Sequence, residues 1–346
     1  MKFSDDPRLA AWEKEMARLD AGEPPPNHEN PPRRHHYVPE LYLKRFASRS
    51  RPDGAPLVHR IEAKAGPASG RVIGVRDAAV EKDFYKVDSD DPRRAYEAER
   101  ILGVFETTAG YAFANLDRFG AGHFPDNIDR ENLSLFMALQ FVRAHDTSDF
   151  QERMYTQVSR MTMRVAASIP GYVRSYLIEQ GEDASDEAVA KVTAAFMKGA
   201  DVMSVTPHRN ETVEAILRLP TELMPYFFHR RWLIACSTVP FLTTDRPVVL
   251  LEQRGAHEPW RGVGAGTAET IVFVLDRYRA LLMRHPESAN PEAVIDVDAR
   301  FVRRLNTVVA NRARRWIFHH PDDNPLDGVP FNPDGQPATS RVAQPR

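Results

Sequence analysis

The chain has 346 residues, 46 Lys plus Arg against 48 Asp plus Glu, a formal net charge of −2 and 42 % apolar residues, ordinary globular usage that excludes collagen-like, coiled-coil and wholly disordered chains. The one cysteine, Cys236, excludes an intrachain disulfide and a cysteine-based zinc site. With an acidic start (MKFSDDPRLAAWEKEM) in place of a signal peptide, and no apolar run near the roughly 18 to 20 residues of a membrane helix, the expectation is a cytoplasmic protein without a membrane partner.

In chain order, Pro7 to Leu19 reads as a short amphipathic helix with Leu9, Trp12, Met16 and Leu19 on one face, which docks either on the body or on a partner. The Pro-rich run from Glu23 to Pro32 reads as a semi-rigid linker, which makes residues 1–32 a peripheral, removable arm. Pro39 opens a helix to Ala47, and Pro56–Ala63 and Arg71–Val75 suit short strands. Arg93–Leu116 is a long helix with Ile101, Leu102, Phe105 and Ala109 inward. Asp129 is placed to cap a second strong helix, Arg130–Ala144. Helical patterns continue through Ser148–Ala167, Tyr172–Gln180, Ser185–Gly199 and Asn210–Leu219. After Arg230 the signal changes to short apolar runs, Trp232–Cys236, Val248–Leu251, Thr270–Leu275 and Ala280–Met283, which suit an antiparallel sheet. Asp298–Asn311 returns to helix and Arg315–His319 is a last strand. The predicted fold is α+β, with a mostly helical middle and a sheet built largely from the C-terminal third. One domain over 33–320 is expected, followed by a flexible tail over 321–346, where apolar residues are scarce.

The segment His35-His36-Tyr37-Val38-Pro39-Glu40-Leu41-Tyr42-Leu43-Lys44-Arg45-Phe46 resembles the opening of the bacterial family of unknown function DUF4238. Further segments are similar to that family in the same order: Glu81 to Tyr85, the acids Glu99 and Glu106, Gln140 to Arg143, Pro240 to Val248, and Leu305-Asn306. Thr244 stands where the family usually has Ser. The resemblance spans nearly the whole chain but implies no reaction, so the chemistry rests on the residues.

Adjacent side chains of extended chain point apart, so one of His35 and His36 faces a given site, and the family motif favours His36. It suits a metal ligand, a base or a phosphate donor, or else it pins the following helix. Glu99 and Glu106 are seven residues apart, about two turns, so both carboxylates share a face with Gly103 between them. They could bind metal or act as bases, or simply be solvated. Gln140 and Arg143 are a turn apart among Leu139, Phe141 and Val142, so they need partners. Arg143 either pairs with Glu99 or Glu106 or grips a phosphate. Asp245, at a strand end before Pro247, is a catalytic candidate or a turn residue. Two arginine-rich stretches, Arg33–Arg51 and Ala299–His320, suit phosphate or a solvated face. There is no P-loop, GxGxxG, HExxH or GxSxG.

These residues lead to the expectation of a hydrolase, a phosphodiesterase or nuclease-like enzyme. His36, Glu99, Glu106, Arg143 and Asp245 would be the catalytic set. His36, Glu99 and Glu106 would hold a divalent metal ion, and nucleic acid or a phosphorylated ligand would be the partner. The alternative is a non-catalytic binding or regulatory module, of the kind that serves in bacterial defence.

Overall fold

The structure, a computed structural model, describes residues 7–25, 31–48, 54–119, 124–143, 146–252 and 263–329. Its elements run α1 (Pro7–Asp20), β1 (Arg34–His36), α2 (Glu40–Leu43), β2 (Leu57–Glu62), β3 (Arg71–Gly74), β4 (Val80–Lys82), α3 (Glu97–Phe119), α4 (Asn127–Arg143), α5 (Asp146–Ser168), α6 (Tyr172–Glu179) and α7 (Asp186–Val202). There follow α8 (Arg209–Leu223), α9 (Pro225–Phe228), β5 (Arg231–Cys236), β6 (Thr243–Thr244), β7 (Val248–Leu251), β8 (Thr270–Asp276), β9 (Arg279–Arg284), β10 (Ala293–Asp296), α10 (Ala299–Ala310) and β11 (Trp316–His319). The fold is α+β, as the sequence predicts. No helix among the described residues is long and apolar enough to cross a membrane.

The chain divides into two compact units, residues 1–144 with 216–346, and residues 145–215. The first holds the sheets. The apolar runs after Arg230 form a five-stranded sheet in the order β10-β5-β9-β8-β7, antiparallel except for the edge strand β10, which lies parallel to β5. Strands β5, β7, β8 and β9 are buried almost throughout, as in Ile271 to Leu275 and Ala280 to Met283, and the edge strand β10 is half-buried. The early strands do not stand apart. β2 and β3 join β11 and β6 in a four-stranded antiparallel sheet, and β1 pairs with β4.

Helix α4 runs through the core of this unit, with 13 of its 17 residues buried. Phe136 meets Tyr42, Phe113 and Phe273, from α2, α3 and β8. Its start differs from the expected one. The helix begins at Asn127, and Asp126 caps it by accepting the Asp129 N–H at 2.8 Å. Asp129 is itself buried and takes the Asn115 amide at 3.0 Å, a bond that ties α4 to α3. A carboxylate three residues ahead of a free N–H is the better-placed cap.

Two further expectations meet a different structure. Helix α1 packs on α3: Trp12 is only 2 % exposed, its ring centroid 3.7 Å from that of Phe105. Residues 321–329 also dock, with Leu326 buried and Asp323 forked onto Arg277 (Nε to Oδ2, 2.7 Å). Half of the expected linker (26–30) and the rest of the expected tail (330–346) lie outside the described residues.

The second unit is helical: α5, α6, α7 and the start of α8. Ser185 caps α7 by accepting the Ala188 N–H at 3.3 Å, ahead of the acidic pair Asp186-Glu187 that suits a helix N-terminus.

Candidate functional site

Four of the five predicted site residues meet around the last turn of α4. Arg143 is fully buried. Its Nη1 lies 2.5 Å from Glu106 Oε1, and its Nε donates to the Tyr85 hydroxyl at 2.8 Å. The third nitrogen, Nη2, is buried without a partner. Burial opposes the guanidinium charge, but Tyr85, Glu106 and Glu99 more than offset it, so Arg143 stays protonated.

Glu99 stands two turns before Glu106 on α3. Its carboxyl is pushed up to about 7, first by burial; Arg143 pulls the other way and Glu106 adds to the rise. Its Oε2 is also buried and unpartnered. Between the two acids, Gly103 is exposed, and a Cβ built there would meet nothing within 4 Å. Glu106 keeps a quarter of its side-chain surface in solvent. The α3 face that carries both acids is therefore open at its middle and dry at its Glu99 end.

His36 ends β1. Its Nε2 is 3.1 Å from the Arg76 carbonyl oxygen, so that nitrogen carries the proton, and Glu40 Oε1 is 3.7 Å away. Burial holds its pKa below the ordinary value, and the charges of Glu40, Arg143 and Glu106 also act on it. His35 points the other way, as strand geometry requires. It is buried, stacked on Tyr85, and bonded to the Pro32 carbonyl and the Tyr85 N–H.

Gln140, one turn before Arg143 on the same face, is 3 % exposed, and both its amide atoms lack partners. Buried polar groups are normally bonded to protein or water, and Glu99, Gln140 and Arg143 leave four polar atoms, one each from Glu99 and Arg143 and two from Gln140, without a protein partner.

Asp245 is placed elsewhere. Its Oδ1 accepts the Arg314 N–H at 2.9 Å, and its Oδ2 accepts those of Arg315 (2.7 Å) and Trp316 (3.1 Å). It thereby orders the entry to β11 through a distant backbone, rather than a turn at Pro247. It is not among the charges that act on Glu99, Arg143 or His36.

Tyr85 is the site residue that received no role from the sequence. The signal was present in the Glu81-Lys82-Asp83-Phe84-Tyr85 segment, but only the fold shows that its hydroxyl orients the Arg143 guanidinium. A divalent ion fits this donor set poorly. His36 Nε2 carries a proton, Glu106 is taken by Arg143, and burial favours the protonated form of Glu99. Among the described residues no group of three or more His, Cys, Asp or Glu is arranged to hold a metal.

The fold and the site define an α+β protein whose buried central helix presents an arginine to two acids, one of them held near neutrality. Residues 34–323 match the model of DUF4238, a family of proteins of unknown function, and the chain belongs to that family. No curated protein and no solved structure matches the chain.

Proposed function

We propose that the chain is a hydrolase acting on a phosphate ester, with Glu99 as the proton-transferring group and Arg143 as the anchor of the anion. The observations that carry this are two buried, unpartnered atoms, Glu99 Oε2 and Arg143 Nη2, on groups whose charges act on each other. A carboxyl near 7 is divided between acid and base at neutral pH, where general acid–base catalysis is most effective. Glu106 and Tyr85 fix the guanidinium, leaving Nη2 for a phosphate oxygen. Gln140 supplies a further amide donor, and His36, kept neutral, a second group able to take a proton. In this reading the chemistry runs on protein groups, and metal analysis of the purified chain tests the metal-assisted version.

A small phosphorylated ligand suits the site better than nucleic acid. In the first basic stretch Arg33 pairs with Asp83, Arg34 with Asp77, and Arg45 with Asp117 and Asp276. Arginines so neutralised offer little to a phosphate backbone.

The test is a screen of phosphomonoesters, phosphodiesters and nucleic acids with and without chelator. The expected result is hydrolysis whose kcat/KM rises through about pH 7, and a loss of about 10²- to 10⁴-fold in Glu99→Gln. Equal rates for parent and Glu99→Gln on every hydrolysed substrate would sink the assignment. The complete burial of Arg143 favours a second reading, a non-catalytic knot joining α3, α4 and the β4–α3 segment. In that case Arg143→Ala unfolds the protein, whereas the enzyme reading expects Arg143→Lys to fold and lose ligand binding.

A further inference from the structure

The second arginine-rich stretch of the sequence leads into β11, and the fold brings two more arginines beside it. In the four-stranded sheet Arg60 of β2 lies directly opposite Arg71 of β3, and Glu62 of β2 lies opposite Trp316 of β11. Residues directly opposite across two strands share a face of the sheet, as do alternate residues along one strand. One end of the face that carries these residues is closed: Val58, Thr243 and Phe318 are buried, and the Tyr42 hydroxyl lies 2.7 Å from Thr243 Oγ1. The other end is open, with Arg60, Glu62 and Trp316 partly exposed and Arg71 exposed.

Two features of this open end are unusual for a sheet surface. Like charges directly opposite each other on neighbouring strands repel. Burial lowers the Arg60 pKa, Arg315 and Arg71 push it the same way, and Tyr37 and Glu62 oppose them. The one carboxylate in contact with the three arginines is Glu62, at 4.0 Å from Arg315 Nε. The second feature is Trp316. The guanidinium carbon of Arg60 lies 4.0 Å from the centre of its ring, and that of Arg315 lies 4.6 Å away. An aromatic ring holds a guanidinium by its flat face and leaves its charge and its edge N–H groups available. The first arginine-rich stretch shows the contrast, with Arg33, Arg34 and Arg45 each on an aspartate.

We propose that the open end of this sheet binds a chain of linked phosphates, supplied by a polyphosphate or by the backbone of a single nucleic-acid strand. Arg71, Arg60 and Arg315 come from three neighbouring strands, and at ~4.8 Å per strand they cover roughly 10 Å. That is wider than one phosphate and suits two or three in a row. Each guanidinium fork can take two oxygens of a phosphate. A phosphate between Arg60 and Arg71 turns their repulsion into two attractions. Trp316 is a positioning residue, which holds two of the forks without neutralising them. The surface shares no residue with the Arg143 site and stands whether or not that site is catalytic.

The experiment follows the full chain binding a fluorescent single-stranded oligonucleotide, by anisotropy, over a range of salt concentrations. With three guanidiniums engaged, the logarithm of affinity is expected to fall with the logarithm of salt at a slope of about −2. Arg60→Gln and Arg71→Gln should each make that slope shallower by about 0.7 and weaken binding roughly tenfold. Trp316→Leu should weaken binding at an unchanged slope, since it removes no charge. Glu62→Gln should tighten binding, a gain that a damaged fold does not give. Arg303→Gln on α10 should match the parent. Displacement of the strand by inorganic tripolyphosphate at equal phosphate concentration makes the free phosphate chain a sufficient ligand. Displacement by unlabelled strand alone assigns the nucleic acid. The proposal is overturned if neither strand nor tripolyphosphate binds at low salt, if Arg60→Gln and Arg71→Gln bind as the parent does, or if Arg303→Gln loses as much as they do.

Discussion

The residues of the family segments divide into two kinds of work. One kind converges on Arg143: His36, Tyr85, Glu99, Glu106 and Gln140. The other knits strands to helices. Tyr42 bonds Thr243 Oγ1 and the Val274 carbonyl, both at 2.7 Å, and Asn306 takes the Leu242 N–H and reaches the Pro240 carbonyl. Asp245 belongs to this second group. Replacing it by Ala would strand three backbone N–H groups at the start of β11. At about 1–3 kcal/mol for each such group left without a partner, Asp245→Ala is expected to be among the most destabilising single changes in the chain. Chemical denaturation checks it, and an unchanged midpoint would contradict the bonding described. Arg143→Ala is expected to cost roughly 3–5 kcal/mol, because it leaves Glu106 and Tyr85 without their buried partner. Arg303, exposed on α10, is the control, and Arg303→Ala should change stability by about 0.5 kcal/mol or less. Equal midpoints for both arginine variants would remove the basis for the site.

At the scale of elements, what could be read from the sequence was periodic and local. The helices α3 to α8, the strands β5, β7, β8 and β9 and the last pair α10–β11 follow from their apolar spacing. The pairing of β2 with β11 did not, because a partner some 250 residues away leaves no mark on a six-residue strand. β10 was missed because Ala293–Asp296 is half-buried and carries no alternation. The site was legible as residue types but not as a meeting place: nothing in the spacing says that Arg143 reaches Glu106 rather than Glu99. Helix α1 is the instructive failure. Its four apolar positions suggested a face docked on the body or on a partner and the prolines after it a removable arm, yet Trp12 fills a buried place against Phe105. Beside it Glu15 takes Arg100 Nη1 at 2.7 Å, a bond that holds the Glu15 carboxyl down at about 2. Burying an aromatic outweighs what a short amphipathic pattern conveys. Trp12→Ala should therefore cost roughly 3 kcal/mol or more, and removal of residues 1–32 should lower the thermal midpoint by more than a few degrees. A truncated chain that melts with the intact one would restore the peripheral reading.

Over the whole molecule, two buried groups bend stability with pH in opposite senses. Glu99 has its folded pKa raised to about 7, so the folded state holds that proton more tightly than the unfolded one. Its contribution is fully present below about 4.5, the ordinary value, and is lost as pH rises through about 7. His319 is the reverse. Burial lowers it to about 4. Its Nδ1 donates to the His320 carbonyl at 2.8 Å, which leaves Nε2 to accept from His59 Nδ1 at 2.7 Å. A second proton on His319 would set two N–H groups against each other. The stability it gives is present above about 6.5, the ordinary imidazole value, and is lost as pH falls toward 4. Each difference corresponds to roughly 3 kcal/mol across its window. The two windows, about pH 4.5 to 7 and about pH 4 to 6.5, overlap with opposite slopes, so the unfolding midpoint of the parent is expected to stay nearly level between about pH 4.5 and 6.5. Glu99→Gln should leave a midpoint that rises with pH across that range, and His319→Gln one that falls. A midpoint that climbs in the parent from about pH 4.5 to 6.5 would show that Glu99 is ionised in the folded chain. The two buried, unpartnered atoms of Glu99 and Arg143 would then be a carboxylate facing a guanidinium, an ion pair in waiting rather than an acid poised to give up its proton.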